Sequence, residues 1–130
     1  MAQLKCIVVT PEETALETMA DFVALPLFDG EIGIAPSHSP MIGRLGFGEM
    51  RIKSGGTTTS YYVDGGFVQV ANNEVNVLTG KAMPAGDVSK DDAVKQLEAA
   101  LKHPASTDEL LAIRDRMVEQ ARAQIRISQN

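Results

Sequence analysis

Two histidines and one cysteine are all that the chain offers for imidazole or thiolate chemistry. His38 lies in Ala35-Pro36-Ser37-His38-Ser39-Pro40, a polar stretch between prolines. Ser37 or Ser39, with His38 and Asp64, supplies the residue types of a nucleophile, base and acid set. The spacing opposes that reading: no G-x-S-x-G elbow occurs, and adjacent side chains of an extended segment point to opposite sides. His103 precedes Pro104 at the end of a helical pattern, a place for capping or dipole contact rather than proton transfer. Cys6, followed by Ile7-Val8-Val9, reads as a small buried hydrophobe. No H-x-x-x-H, C-x-x-C or acid-rich calcium loop is present, so no metal is expected. Gly43-Arg44-Leu45-Gly46-Phe47-Gly48 lacks the Lys-Ser/Thr sequel and the following helix of a phosphate cradle. In strand context its glycines mark turns or bulges. The chemistry-bearing residues therefore point away from catalysis.

The elements that must position them fall into two groups. The chain has 130 residues, 12 basic against 17 acidic, a net charge of −5 and 44% apolar residues. That length suits one small domain with an appendage. The acidic balance excludes a general nucleic-acid binder, which needs rows of cations for phosphates. One cysteine excludes an internal disulfide scaffold and fits a reducing compartment. The longest apolar run is far short of the ~20 residues that cross a bilayer. The start, Met1 to Cys6, has no apolar core of signal-peptide length and reads as an intracellular N-terminus.

Residues 1–86 read as strands. Val8, Val9, Val63, Val68, Val70, Val75 and Val77 supply β-branched density. Turn signals recur at Asp29-Gly30, Ser54-Gly55-Gly56, Asp64-Gly65-Gly66 and Asn72-Asn73. The expectation is mainly β plus α: a ten-stranded antiparallel β-sandwich, then an antiparallel two-helix hairpin over residues 87–130. Pro26 and Pro36 belong at an edge, bulge or loop, since they cannot donate to a ladder. In the hairpin, Val94, Leu97, Ala100 and Leu101 form one stripe, and Leu110, Ile113, Met117, Ala121 and Ile125 a second. Ser89 and Asp92 read as one capping box, Ser106 and Glu109 as another. Residues 1–86 hold five basic and nine acidic residues and residues 87–130 seven and eight, so most of the negative charge lies on the sandwich. Two helices bury too little to offset the entropy of ordering their backbone, so the hairpin needs a second surface. A tail with two alternative surfaces is a physically reasonable switch.

Gly30-Glu31-Ile32-Gly33-Ile34-Ala35-Pro36-Ser37-His38-Ser39-Pro40 resembles the G-E-[LIF]-G-I-x-P-G-H-A-P pattern of the epsilon subunit of F-type ATP synthases. The resemblance continues through Gly48-Glu49-Met50-Arg51-Ile52 and Tyr62-Val63-Asp64-Gly65-Gly66-Phe67-Val68-Gln69-Val70. It ends in Asn73-Glu74-Val75-Asn76-Val77-Leu78-Thr79. Four blocks in the family's order, over nearly the whole chain, make the match specific.

The resemblance implies a non-catalytic rotor subunit of the central stalk, peripheral on the cytoplasmic face of a bacterial inner membrane. It implies that Thr10, His38, Met41, Ile42 and Gly43 face the gamma subunit. Phe28, Asp29, Gly30, Glu31 and Ile32 would approach the ring of c subunits. Arg114, Arg116, Arg122 and Arg126 would meet acidic segments of the alpha/beta catalytic head, where the hairpin impedes ATP hydrolysis. Gly30 and Gly33 would permit turns, and Pro36 and Pro40 would stiffen the docking loop. Ser37 and Ser39 stand where the family carries Gly and Ala, and Gly46-Phe47-Gly48 lacks the common proline. Some relatives bind ATP through I-D-x-x-R-A; here the segment is Val88-Ser89-Lys90-Asp91-Asp92-Ala93. Its acid has become Ser89 and its arginine Asp92, a charge reversal where phosphate needs a cation. No cofactor and no tight ATP site are expected. Two other readings compete: a free small-ligand-binding sandwich with a regulatory tail, and a minor hydrolase built on His38.

Overall fold

The computed structural model describes residues 3–129. Met1, Ala2 and Asn130, the outermost residues of the two expected segments, lie outside them. Eight strands come first: β1 (Leu4–Val9), β2 (Thr14–Ala20), β3 (Phe22–Leu27), β4 (Gly30–Ile34), β5 (Met41–Ser54), β6 (Thr57–Ala71), β7 (Glu74–Leu78) and β8 (Ala82–Pro84). A single 3-10 turn (Ala85–Asp87) precedes α1 (Lys90–Leu101) and α2 (Asp108–Ser128). The chain divides into two compact units between Pro84 and Ala85.

The first unit is a β-sandwich with strand order β2-β1-β7-β6-β5-β3-β4, and β8 pairs with β6. Eight strands stand where ten were expected, because two predicted breaks lie inside long strands. Asp64-Gly65-Gly66 is not a turn. Gly65 and Gly66 adopt φ of 72° and 110°, so the chain is redirected without leaving the 15-residue β6. Opposite them the register passes from Leu45–Gly66 to Phe47–Asp64, which keeps β5 continuous past Gly46. Turns do form at residues 28–29, 55–56 and 72–73. The sheet is mixed rather than purely antiparallel, since β1 runs parallel to β7. Pro26 sits where β3 breaks register against β5, between Ala24 and Leu27, and Pro36 lies in the loop after β4.

Alternation then sorts side chains to two faces. Leu4, Cys6, Val8, Val23, Leu25, Leu45, Met50, Ile52, Val68, Val70, Val75 and Val77 all fall in one buried cluster. Cys6 is a free thiol inside it, and burial pushes its pKa up to about 11.

The second unit is the hairpin. Ser89 caps α1 by accepting from the Asp92 amide, as its sequence suggests. The cap of α2 is Thr107, which accepts from the Leu110 amide; Ser106 lies one residue outside the helix. Thr107 holds the extended geometry (φ −124°, ψ 162°) a cap requires, and Asp108 and Glu109 form the acidic first turn. The buried stripe also differs in detail. In α1 it is Ala93 and Ala100, with Val94 and Leu97 half-buried and Leu101 exposed. In α2 the buried residues are Val118, Ala121, Ala123, Gln124 and Ile127, with Leu110, Met117 and Ile125 half-buried and Ile113 exposed.

Candidate docking faces

The loop between β4 and β5 is held by its backbone rather than by bulk. The His38 amide donates to Ala35 O at 3.2 Å, and the Ser37 amide donates to Asn73 Oδ1 at 2.6 Å. Ser37 adopts φ of 69°, in the region that favours the family's glycine, and the Asn73 carboxamide helps hold it there. Asn73, in the β6–β7 turn, is a positioning residue that sequence reading placed in a motif without giving it a task. His38 Nδ1 lies 2.7 Å from Ser39 O. That contact directs Nδ1–H to a main-chain carbonyl. Asp64 accepts from the buried Tyr62 hydroxyl at 2.8 Å and stands opposite Phe47 in the β5–β6 ladder, six positions beyond Met41, the first residue of β5 after the His38 loop.

Of the expected gamma-facing residues, alternation gives Ile42 alone of Met41–Gly43 an outward side chain; it is 76% exposed. Met41 packs on the core, and a Cβ on Gly43 would meet Leu27 and Val68. Cross-strand pairing extends Ile42's face. Arg44 opposes Phe67, and Phe67 opposes Leu78, which lies beside Val9. Phe67 is 59% exposed and Leu78 53%. Thr10 follows at the end of this row, turned by its bonds to Glu13 O. The result is an outward apolar row that sequence reading missed. Its signal lay in the register: Phe67 and Leu78 occupy the polar phase of segments whose inward phase is Val68, Val70, Val75 and Val77.

Phe28, 67% exposed, joins the same row, because the Arg44 guanidinium lies 4.6 Å from its ring centroid. Phe28, Asp29, Gly30 and Glu31 are exposed on the β3–β4 hairpin, whereas Ile32 packs on the core. Glu31 is bound by Arg51. Gly33 is used differently from the expected turn: a Cβ there would sit 2.5 Å from Phe22 Cζ, so the missing side chain makes room for a ring. On α2, Arg122 and Arg126 are exposed and about 40° apart around the axis at ~100° per residue. Arg116 projects from another side, and Arg114 is half-buried.

A cavity of about 220 Å³ in the sandwich is lined by Val8, Ala15, Leu16, Met50, Tyr61, Ala82 and Pro84, among which Tyr61 has the only hydroxyl. Ligand pockets run about 300–1,000 Å³ with several placed polar groups. Among the described residues no group of three or more His, Cys, Asp or Glu could hold a metal ion.

The exposed apolar row and the stapled loop are surfaces suited to docking. Residues 3–85 match the family model of the ATP synthase delta/epsilon chain β-sandwich domain. An ATP synthase epsilon chain of Rhodopirellula baltica is 50% identical over 125 residues, covering 96% of this chain and 98% of that one. A sodium-ion-specific epsilon chain of Propionigenium modestum is 28% identical over 131 residues, covering 99% and 96%. A chain in the Euglena gracilis mitochondrial ATP synthase shares the fold at TM-score 0.83 and 21% identity, over 95% of this chain and 79% of that one. The chain belongs to the ATP synthase epsilon chain family. It is a non-catalytic subunit of the synthase.

Proposed function

We propose that the sandwich couples the gamma shaft to the ring of c subunits, and that the hairpin brakes ATP hydrolysis by engaging the catalytic head. The observation that carries the coupling role is the outward row Phe28–Arg44–Phe67–Leu78, continuous with Ile42 and ending near Thr10. A contiguous apolar face on a soluble chain marks an interaction surface. On this reading Thr10, His38 and Ile42 meet gamma, with Met41 and Gly43 supporting them from within. Phe28, Asp29, Gly30 and Glu31 meet the ring, with Ile32 anchoring their strand. The prolines around His38 and the Asn73 bond hold the loop in its bound shape, which lowers the entropy cost of docking.

Arg122 and Arg126 form the cationic face by which the hairpin would meet acidic segments of the head, while Arg116 leaves α2 on another side and Arg114 is half-buried. The chain acts at the cytoplasmic face of a bacterial inner membrane through protein partners. Among the described residues no helix is long and apolar enough to cross a membrane. Tight ATP binding is not part of this function, because Asp92 stands where a phosphate partner would be needed.

Two experiments test these roles. Phe67→Ser with Leu78→Ser should leave folding nearly intact, since both side chains are already more than half exposed, and should weaken binding to gamma. Binding equal to the parent chain defeats the coupling face. Truncation after Asp87 should raise ATP hydrolysis by the assembled synthase at low nucleotide; an unchanged rate defeats the brake.

A further inference from the structure

Glu31 stands on the edge strand β4 and Arg51 on β5, with β3 between them. Arg51 lies opposite Ala24 of β3, and Glu31 opposite Pro26. Ala24 offers only a methyl group and is buried, so nothing on β3 stops the guanidinium from lying across the strand. Arg51 Nη2 donates to Glu31 Oε1, and Nη1 donates to Glu31 Oε2 at 3.3 Å and to Glu49 Oε1 at 3.2 Å. One cation thus holds two carboxylates, and the cluster keeps one net negative charge.

We propose that Arg51 is the positioning residue of the ring-facing edge, fixing the Glu31 carboxylate in one orientation before a cationic group of the partner arrives. The proposal rests on the reading that Glu31 meets the ring. Alone on an edge strand, a glutamate samples several rotamers, and docking must freeze it. Arg51 does this in the free chain. The planar fork suits the task, since a lysine cannot engage both carboxylate oxygens in parallel. Glu49 has a matching part: as a second acceptor it keeps the cluster negative, so the captured Glu31 still attracts a cation. Stability is not the main return, because Arg51 and Glu31 side chains are 38% and 54% exposed and such pairs contribute little to folding.

The test titrates full-length variants onto synthase stripped of this subunit and reads half-saturation from restored ATP-driven proton pumping. Glu31→Ala and Arg51→Gln should each raise the half-saturating concentration about 2- to 10-fold, the equivalent of freezing one rotamer-rich side chain. In the Glu31→Ala background, Arg51→Gln should add less than about 2-fold, and Arg51→Lys alone should fall between parent and Arg51→Gln. Melting midpoints of all variants should stay close to the parent. A parental result for Arg51→Gln beside a weakened Glu31→Ala overturns positioning while leaving the ring reading intact. A parental result for Glu31→Ala overturns the ring reading and the proposal with it. An Arg51→Gln effect that persists undiminished without Glu31, or that tracks a lowered melting midpoint, also overturns positioning.

Discussion

Gly66→Ala should cost this protein a large part of its stability. Gly66 holds φ of 110°, and a Cβ built there would lie 1.8 Å from Leu78 O, 2.9 Å from Leu78 C and 3.0 Å from Thr79 Cα. Carbon–oxygen contacts across a sheet settle at about 3.3–3.6 Å, so the end of β7 must retreat by about 1.5 Å. That end carries the Phe67–Leu78 rung of β6–β7, the Val9–Leu78 rung of β1–β7 and the Thr79 amide bond to Val9 O at 3.0 Å. Backbone strain of about 1–3 kcal/mol and loss of two hydrogen bonds at about 1 kcal/mol each give roughly 3–5 kcal/mol. Gly55→Ala is the control: its φ of 57° is also left-handed, but nothing lies within 4 Å of the added carbon. It should cost about 1–2 kcal/mol. Urea unfolding followed by the β-sheet circular dichroism signal would separate them, at a slope of about 1–3 kcal/mol per molar. Equal midpoints for the two variants would refute the steric argument, since only the close approach of β7 distinguishes the sites. On the proposed coupling role, the displaced Leu78 should also weaken gamma binding, because it belongs to the outward row.

Other perturbations follow from single features. Asp21 accepts from the Gly55 amide at 2.9 Å and from Gln3, and these bonds hold its carboxyl below the ordinary value. A lowered folded pKa means that its contribution is present above about pH 3.9 and fades as pH falls through the lower folded value. The melting difference between parent and Asp21→Asn should therefore shrink across that acid range; a constant difference would contradict it. Thr107→Ala should cost about 1 kcal/mol of hairpin stability and Ser106→Ala little, the reverse of the sequence-based capping box. Helicity on heating, measured by circular dichroism for each variant, distinguishes the two caps. Cys6, buried with its thiol pKa raised to about 11, should resist a thiol reagent at neutral pH until urea unfolds the sandwich; rapid labelling of the native chain would refute its burial.

Local chemistry made much of this molecule readable from its residues. The turns at Gly55-Gly56 and Asn72-Asn73, the Ser89 cap and the break at His103-Pro104 depend on neighbours a few positions away and lie where their residues place them. The Asp29-Gly30 signal falls one residue from the turn at Phe28-Asp29. The valine alternation likewise defined the inward face. The Pro36–Pro40 motif stood out for a similar reason, since the two prolines restrict the chain wherever it folds.

Tertiary structure decided what depends on partners distant in sequence. Gly65-Gly66 has turn composition, yet it continues a strand because β5 and β7 pair on either side of it. The parallel β1–β7 ladder joins segments some 70 residues apart, which no local pattern specifies. The outward row exists only once register sets Arg44 beside Phe67 and Phe67 beside Leu78. Arg51 likewise reaches Glu31 only because a small Ala24 lies between them. Turns and caps are short-range balances of sterics and hydrogen bonds, whereas surfaces are sums over strands that meet only in the folded chain.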